Sequence, residues 1–259
     1  MTGFHLTKWY LDCVTADGDV FIGYSALLSF KALHLTFSNV LTFSASGAVE
    51  SKVSFGSSPI PRSEGDTIRW TCPQLHVGGR WRARCAPVAS DLYERDGGVL
   101  RWSCLQPAAE VSVVRGSDLF AGLGYAECLE LSIPPWELPI SELRWGRFVS
   151  ESEALVWIDW RGAHPLTCIS HNGSALTPGR VTDESVQVEG ISLDLTDRTV
   201  IRHEPLLSLG LDQIPGMKKL IPLRMLRADE CKWRSRGIFS RPDAPPSSGW
   251  TIHEIVRFL

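Results

Sequence analysis

The chain has 259 residues, of which 44% are hydrophobic, enough apolar material for one large β domain or two smaller ones. Its formal net charge is −3 and its basic residues are scattered, which argues against a nucleic-acid surface. No apolar run approaches the ~18 residues that a bilayer-spanning helix needs, and no N-terminal segment has the residue order of a signal peptide. We therefore expect a cytoplasmic protein with no nucleic-acid partner and no transmembrane segment.

Cysteine and tryptophan usage support the same assignment. Seven cysteines without CxxC spacing, in a chain without an export signal, predict reduced thiols. In that setting Asn172-Gly173-Ser174 indicates a hairpin turn rather than a glycosylation site. Several of the ten tryptophans directly follow an Arg or Lys. This pattern could stack bases, but strand alternation with Trp inward and the basic residue outward explains it better.

Strand signals dominate the first half of the chain, in short alternating segments separated by turn residues. The predicted strands are Lys8–Val14, Val20–Tyr24, Leu33–Ser44, Ala48–Phe55, Thr67–Cys72, Arg80–Cys85, Leu92–Glu94, Val99–Leu105, Glu110–Arg115 and Tyr125–Leu131. The predicted turns and loops are Asp17-Gly18, Ser46-Gly47, Ser57–Gly65, Gly78-Gly79 and Asp96-Gly97-Gly98. Short helical stretches are compatible with Tyr24–Phe30 or Ser117–Ala121, but no long segment keeps a 3.6-residue apolar period. The prediction is an all-β fold.

The second half repeats the order of the first. Trp9–Tyr24 aligns with Trp145–Trp160 without a gap. Three further matches follow in the same order: Ser44–Gly47 with Ser170–Gly173, Arg101-Trp102-Ser103 with Lys232-Trp233-Arg234, and Gly124-Tyr125 with Gly249-Trp250. We interpret this as a duplicated unit, the alternative being that any two antiparallel sheets share such patterns. It predicts an N-terminal β domain at 1–132, a Pro/Trp linker at 133–142 and a C-terminal β domain at 143–259.

Tandem halves joined by a Gly-Tyr-x-Glu strand at Gly124–Glu127 and a Pro-Trp linker resemble the two-domain lipocalin-like family. That family includes carotenoid 1,2-hydratases, tocopherol-cyclase-like proteins and related natural-product cyclases. The resemblance implies two tandem lipocalin-like antiparallel β-barrel or half-barrel units packed together. It also implies hydration, cyclisation or isomerisation of an apolar polyene, isoprenoid or polyketide-like molecule, without a metal or nucleotide cofactor. The chain is shorter than usual for the family, and Leu129-Glu130-Leu131 replaces the Asn-Trp-Gly run that commonly follows the Glu.

Side-chain parity indicates which residues share a face of each closing strand. In Tyr125–Leu131, Glu127 shares its face with Tyr125 and two leucines, and in Trp250–Phe258, Glu254 shares its face with Trp250 and apolar residues. Each half thus ends with one carboxylate among apolar neighbours. Burial raises the pKa of a carboxyl group, and a neutral carboxylic acid is what protonating an alkene or a carbonyl requires.

Two other carboxylates and one histidine are weaker candidates. Asp159 shares a face with Trp157 and is either a third acid or a residue paired with Arg161. Asp12 is the weakest of the four acids. His253 falls on the polar side of its strand, where a surface position is expected. For Glu127 and Glu254 the alternative is a buried carboxylate that Arg or Tyr satisfies without chemistry.

Other kinds of site have little support. The seven histidines do not cluster at metal-ligand spacing, so no metal site is predicted. No Gly-x-Ser-x-Gly elbow is present, and Gly122-Leu123-Gly124 lacks the third glycine and the helix of a nucleotide-binding turn. Cys72 and Cys104 are expected to be buried structural thiols.

The family resemblance, taken with these residues, leads to the hypothesis of a cofactor-independent enzyme of small-molecule biosynthesis. Glu127 is expected to act as general acid or base, with Asp159 or Glu254 assisting. The residues expected to contact the apolar substrate are Tyr125, Trp136, Trp157 and Trp250. Two alternatives remain open, a non-catalytic carrier of a lipophilic ligand and a structural protein with filled interiors. The oligomeric state is not predicted.

Overall fold

The protein is described by a computed structural model that covers residues 3–56, 59–205, 222 and 227–258. The chain divides into two compact units, Met1–Glu137 and Leu138–Leu259. Their boundary lies inside the segment 133–142 that was predicted as a linker. Nearly all regular structure in both units is antiparallel strand, so the predicted all-β class is confirmed.

In the described part of unit 1, ten strands form one antiparallel sheet. They are β1 (Phe4–Thr15), β2 (Val20–Phe30), β3 (Leu33–Phe43), β4 (Val49–Phe55), β5 (Arg62–Glu64), β6 (Thr67–Cys72), β7 (Val77–Ala83), β8 (Val88–Arg95), β9 (Gly98–Arg115) and β10 (Asp118–Leu131). The strand order is β4-β3-β2-β1-β10-β9-β7-β6-β5, with β8 paired to β9. Short 3₁₀ turns occupy Pro73–Leu75 and Pro135–Glu137.

The helical stretches considered at Tyr24–Phe30 and Ser117–Ala121 are wrong, because both segments pair as strands. β2 pairs with β1 along its length, as far as the pair Phe4 and Phe30. Ser117 lies in the turn and the following residues open β10. The two strands predicted at Val99–Leu105 and Glu110–Arg115 are one strand, β9, with a register irregularity between them. Cross-strand pairing decides these segments over local propensity.

The turn predicted at Gly78-Gly79 is also wrong, because both glycines lie inside β7. A Cβ atom on Gly79 would stand 2.8 Å from the ring of Trp81 and 2.8 Å from Cγ2 of Val113. Glycine is therefore required at position 79 by packing rather than by a turn. The other predicted turns of unit 1 that the structure describes do reverse the chain, with positive φ at Gly18, Gly47 and Gly97. Residues 57 and 58 of the predicted loop Ser57–Gly65 lie outside the described residues.

In the described part of unit 2, nine strands form a second antiparallel sheet. They are β11 (Ile140–Val149), β12 (Ala154–Gly162), β13 (Leu166–His171), β14 (Ser174–Ala175), β15 (Arg180–Val181), β16 (Ser185–Val188), β17 (Ile191–Pro205), β18 (Asp229–Arg241) and β19 (Ala244–Arg257). Their order is β14-β13-β12-β11-β19-β18-β17-β16-β15. It matches the order of unit 1 for every strand except β8, which has no counterpart in the described part of unit 2, so the predicted repetition of one supersecondary unit is present in the topology.

The gapless alignment of the two opening hairpins does not hold in the structure, because their turns differ in length by one residue. Five residues (15–19) separate the paired Val14 and Val20, whereas four (150–153) separate Val149 and Ala154. An odd difference in turn length moves one strand's side chains to the other face of the sheet. Trp9 accordingly packs against the core of unit 1, while Trp145 lies opposite Ile158 on the face away from the core of unit 2.

Each unit has its own aromatic core on one face of its sheet. The unit 1 core consists of Leu11, Cys13, Phe21, Val40, Ile68, Trp70, Cys72, Leu75, Val77, Trp81, Ala109, Val111, Val113, Phe120 and Ala126. The unit 2 core consists of Phe148, Leu155, Trp157, Ile169, Val181, Val186, Val188, Leu193 and Phe239. The opposite face of β1 and β2 is buried as well, as Asp12 and Ile22 show at 0% exposure. The alternation of side chains along these strands therefore does not separate a buried face from a solvent-exposed face.

His253 illustrates this point, because the expectation of a surface position is wrong. The residue is 6% exposed, its Nε2 lies 2.8 Å from the Ser235 hydroxyl, and its ring stacks on Trp233 at 5.2 Å. β19 lies between β11 and β18 inside the sheet. Burial, aided by the positive charges of Arg198 and Lys232, lowers the pKa of His253 to about 3. The histidine is thus neutral in the folded protein at neutral pH.

Replacing Gly79 should destabilise unit 1 far more than replacing its neighbour. Gly79→Ala should cost about 1–3 kcal/mol because the new methyl group collides with a packed indole. Gly78→Ala is the control, since a Cβ there meets nothing within 4 Å, and it should change the free energy of unfolding by less than about 0.5 kcal/mol. Denaturant titration of both variants measures the difference. Equal effects would contradict the packing explanation.

The depressed pKa of His253 predicts a loss of stability in acid. Above pH 6.5, the ordinary pKa of histidine, the ring is neutral in both the folded and the unfolded state and does not change the free energy of unfolding. Below that pH the unfolded chain binds a proton that the folded protein does not bind. The free energy of unfolding should fall by up to ~1.4 kcal/mol per pH unit between pH 6.5 and about 3. His253→Asn should flatten that slope, whatever it does to stability at pH 7. A slope equal to that of the wild type would show that other groups control acid unfolding.

Candidate functional site

The pairing of β1 with β10 brings two tyrosines and two carboxylates together. Tyr10 lies directly opposite Glu127, and Asp12 lies directly opposite Tyr125, in a register without irregularity. Glu127 also lies opposite Cys104 of β9, which places Trp102 on the same face. We call Tyr10, Asp12, Trp102, Tyr125 and Glu127 the tyrosine–carboxylate cluster. The predicted sharing of one face by Tyr125 and Glu127 is confirmed by this register.

Two donors converge on one oxygen of Glu127. Trp102 Nε1 donates to Oε2 at 2.6 Å, and the Tyr125 hydroxyl donates to the same atom at 2.7 Å. An indole N–H has no acceptor capacity. Burial, followed by the neighbouring Cys104 thiol and Glu127 carboxylate, raises the pKa of Tyr125 well above its ordinary value, so this hydroxyl keeps its proton. The arrangement suits an ionised carboxylate, which accepts such bonds more strongly than a neutral acid.

A second tyrosine–carboxylate pair lies beside the first. The Tyr10 hydroxyl donates to Asp12 Oδ2 at 3.0 Å. The Tyr10 ring contacts the rings of Tyr24 and Tyr125 edge-on, at centroid distances of 5.3 and 6.0 Å. Three tyrosine rings thus form a row across β2, β1 and β10. Asp12, ranked last among the acids from the sequence, lies on the same face as Glu127 and diagonally opposite it across the β1–β10 pairing.

The cluster is buried except at Glu127, which is half-buried. Asp12 and Tyr125 are 0% exposed. The cluster does not face the core of unit 1, because that core takes Leu11, Cys13 and Ala126 from the other side of the same strands. The core side of this sheet is occupied by packed side chains, with Trp70 and Trp81 almost fully buried. The carboxylate therefore lies on the opposite face of the sheet from this core.

Two cavities lie elsewhere in unit 1. The larger, about 640 Å³, lies beside the β8–β9 turn and the connector, and its lining includes Phe4, Arg95 and Glu137. The smaller, about 380 Å³, lies near the β9–β10 turn, and its lining includes Arg115 and Phe120. Neither lining includes Glu127.

The acids predicted to assist Glu127 belong to unit 2 and do not lie together. Asp159 is on the core side of β12, where it accepts hydrogen bonds from Arg161 Nε at 2.8 Å and Thr167 Oγ1 at 2.9 Å. Glu254 lies opposite Trp145, on the other face of the sheet, and forms an ion pair with Lys232 Nζ. Since the two carboxylates are on opposite faces, they cannot act on one substrate atom within this unit.

The three predicted tryptophans occupy different surroundings. Trp136 packs edge-on against Phe4 and Phe30, at centroid distances of 5.8 and 5.4 Å. Trp157 is 2% exposed in the core of unit 2. Trp250 carries the guanidinium groups of Arg234 and Arg236 over its ring at 4.7 and 3.6 Å. Substrate contact by any of them stays a prediction.

Sequence reasoning did not include two members of the cluster, Tyr10 and Trp102, among the site residues. Tyr10 reaches Glu127 through a pairing between the first and last strands of the unit, and no local pattern indicates that register. Trp102 had a usable signal, because strand parity puts it on the same face as Cys104. What was missing was the pairing of Cys104 with Glu127.

The described residues contain no group of three or more His, Cys, Asp or Glu side chains placed to hold a metal ion. The seven cysteines are all present as free thiols. Over the same ranges, no helix has the length and apolar character that crossing a bilayer would require.

Comparison with known proteins shows the fold. No protein-family model matches the sequence, and no curated protein matches it either. CghA with Sch210972 superposes over 99% of this chain and 89% of its own, with a TM-score of 0.57 at 9% identity. The AttH-like protein NE1406 from Nitrosomonas europaea covers 99% and 93%, with a TM-score of 0.60 at 12% identity. Kievitone hydratase from Nectria haematococca covers 97% and 88%, with a TM-score of 0.57 at 12% identity. The predicted class, two tandem lipocalin-like β units, is confirmed by these structures.

Proposed function

We propose that the protein is a cofactor-independent biosynthetic enzyme in which Glu127 acts as a general base on a small-molecule substrate. The reaction class is isomerisation, cyclisation or hydration. The observation that carries this proposal is the convergence of Trp102 and Tyr125 on one oxygen of a half-buried carboxylate. Two donors in fixed positions orient the carboxylate and favour its ionised form, which is the form that abstracts a proton.

We assign Glu127 the role of a base because of its two donors. A neutral carboxylic acid was the starting expectation, because burial alone disfavours charge. The Tyr125 hydroxyl and the Trp102 indole both donate to one oxygen, and such hydrogen bonds stabilise an ionised carboxylate more strongly than a neutral acid. Glu127 would take a proton from a substrate carbon or from an attacking water, and would return it at another position of the same molecule. An isomerisation or cyclisation is then balanced without a co-reactant, and a hydration consumes one water.

The fold comparison supports the same class of chemistry without defining the substrate. One protein of this fold is a hydratase by name, kievitone hydratase, and another, CghA, has a structure with the small molecule Sch210972. In this chain the apolar substrate class, the assistance of Asp159 or Glu254 and the tryptophan contacts remain part of the proposal. Because Asp159 and Glu254 lie on opposite faces of the unit 2 sheet, Glu127 is the residue to test first.

Glu127→Gln should reduce turnover by ~10²–10⁴-fold, the usual contribution of a positioned acid or base. The purified protein is incubated with a small-molecule extract of the producing organism and the mixture is followed by mass spectrometry. The wild type should convert a compound into a product of equal mass or one water heavier. Glu130→Gln is the matched control, since Glu130 is also half-buried on β10 but on the other face. Normal turnover by Glu127→Gln would remove this residue from the mechanism.

The same extract separates the enzyme from a carrier. A carrier would retain a compound unchanged, with the bound molecule recovered at its original mass and no product formed. The carrier function would then replace the catalytic one.

Removing the Tyr125 hydroxyl tests the role of the donors. Tyr125→Phe should lower kcat about tenfold to hundredfold, because a hydrogen bond to a charged group contributes ~1.5–3 kcal/mol. KM for the compound identified above should change little. Tyr93→Phe on β8 is the control, as the chain's fourth tyrosine outside the row. A drop in kcat that tracks loss of folded protein in thermal melts would assign Tyr125 a structural role only.

A further inference from the structure

Three arginines of unit 1 lie directly opposite one another on neighbouring strands. Arg62 of β5 pairs with Arg69 of β6, and Arg69 pairs in turn with Arg80 of β7. Directly paired residues point to the same side of a sheet, and all three of these residues are exposed. They lie on the side away from the core, because that core takes Trp70 and Trp81 from the adjacent positions. We call Arg62, Arg69 and Arg80 the arginine row.

The opposed charges of the arginine row do not stabilise the sheet, since like charges directly opposite each other are destabilising. Among the residues that the structure describes, Arg69 is the only member of the row with an ion pair, to Glu64 at 2.8 Å. Both side chains of that pair are more than half exposed, so it contributes little to stability. The alternation of buried and exposed positions calls for a polar residue at each site, but serine or threonine would meet it without repulsion.

Unit 2 provides an internal comparison. Its strands β15, β16 and β17 occupy the places of β5, β6 and β7 in the strand order. The directly opposed residues there are Arg180, Gln187 and Ser192. One cation and two neutral residues complete the same part of the fold in unit 2, so the fold does not require the arginine row.

An apolar row borders the arginine row on one side. Two residues farther along each strand, the opposed positions are Thr71, Gly78, Val114 and Leu119. Val114 is 47% exposed and Leu119 is 63% exposed. On the other side of the arginine row, Arg82 forms an ion pair with Glu110. Successive rows of this face are therefore apolar, cationic and ion-paired.

We propose that this face of unit 1 binds reversibly to the anionic surface of a lipid membrane. The arginine row would contact the phosphate and carboxylate groups of the lipid headgroups, which guanidinium groups match in a planar, bidentate geometry. Val114 and Leu119 would reach the boundary between headgroups and acyl chains. The whole chain has a formal net charge of −3, so attraction to an anionic surface depends on this local patch and orients the protein. Such binding does not depend on the chemistry proposed for Glu127.

The carboxylates near the arginine row do not cancel its charge. Glu64 and Glu110 are each paired with one arginine, Arg69 and Arg82. Asp66, in the turn between β5 and β6, lies near enough to Arg82 to raise the pKa of that guanidinium group. With Arg82 included, the four arginines exceed these three carboxylates by one charge.

The small size of this face favours a membrane over an acidic protein as the partner. A standard protein interface involves ~20–30 residues on each side, whereas the features here are the arginine row and two apolar side chains. Attraction of basic residues to an anionic leaflet adds with each residue and acts within a Debye length. A few exposed side chains are therefore sufficient for weak, reversible binding.

Vesicle flotation with two lipid compositions tests this binding. The full-length protein should float with vesicles of phosphatidylcholine and phosphatidylserine in equal amounts, but not with phosphatidylcholine alone, and added salt should release it. Arg80→Gln should weaken binding to the anionic vesicles about fivefold, and replacement of all three arginines by Gln about a hundredfold. Leu119→Ser should also weaken binding, by a factor that salt does not change, because apolar contact is not screened.

Arg180→Gln is the matched control, since it removes the exposed cation of the corresponding row in unit 2. It should bind vesicles as the wild type does, and so should Glu127→Gln. Thermal melts should show Arg80→Gln to be at least as stable as the wild type, because an opposed charge has been removed. No flotation of the wild type with anionic vesicles, or equal weakening by Arg180→Gln, would overturn the proposal. Binding of poly-glutamate without binding of vesicles would replace the membrane with an acidic protein partner.

Discussion

The structure of unit 1 depends on the pairing of its first strand with its last. β1 and β10 stay in register from Leu6 opposite Leu131 to Thr15 opposite Gly122. Gly124 helps to hold this register, since a Cβ there would stand 2.0 Å from the carbonyl oxygen of Asp12. A slip of one residue would turn Tyr125 and Glu127 to the core side and break the tyrosine–carboxylate cluster. The position of the tyrosine–carboxylate cluster is thus a consequence of backbone pairing before any side chain is considered.

The sequence predicted part of the site through the alternation of side chains within a strand. It placed Tyr125 with Glu127, and the register confirms it. It did not predict which face holds the core, because both faces of the central strands are buried. The same ambiguity explains His253, which shares the buried core side with polar Thr251 at 0% exposure. Periodicity shows which residues share a side of a strand, and only the neighbouring strands determine what covers each side.

Turn lengths, and pairings between strands far apart in the sequence, determine the parts of the fold and of the site that the sequence did not predict. The repeat was visible in the order of motifs, and the strand order confirms it, yet one residue of difference between two turns moved Trp145 to the face opposite that of Trp9. Trp102 reaches Glu127 through the β9–β10 pairing, which contains a register irregularity near Ala126. Bulges of this kind have no reliable signal in a single sequence. The fold class was therefore predictable, whereas the partners of the carboxylate were not.

The three candidate acids differ in the groups that surround them. Asp159 and Glu254 each contact a cation, Arg161 and Lys232. Such a pair satisfies both charges and is a common structural arrangement. The two donors on Glu127 Oε2 are neutral groups, which stabilise an ionised carboxylate without cancelling its charge. The two hydrogen bonds that Glu127 Oε2 accepts therefore differ in kind from the ion pairs of Asp159 and Glu254.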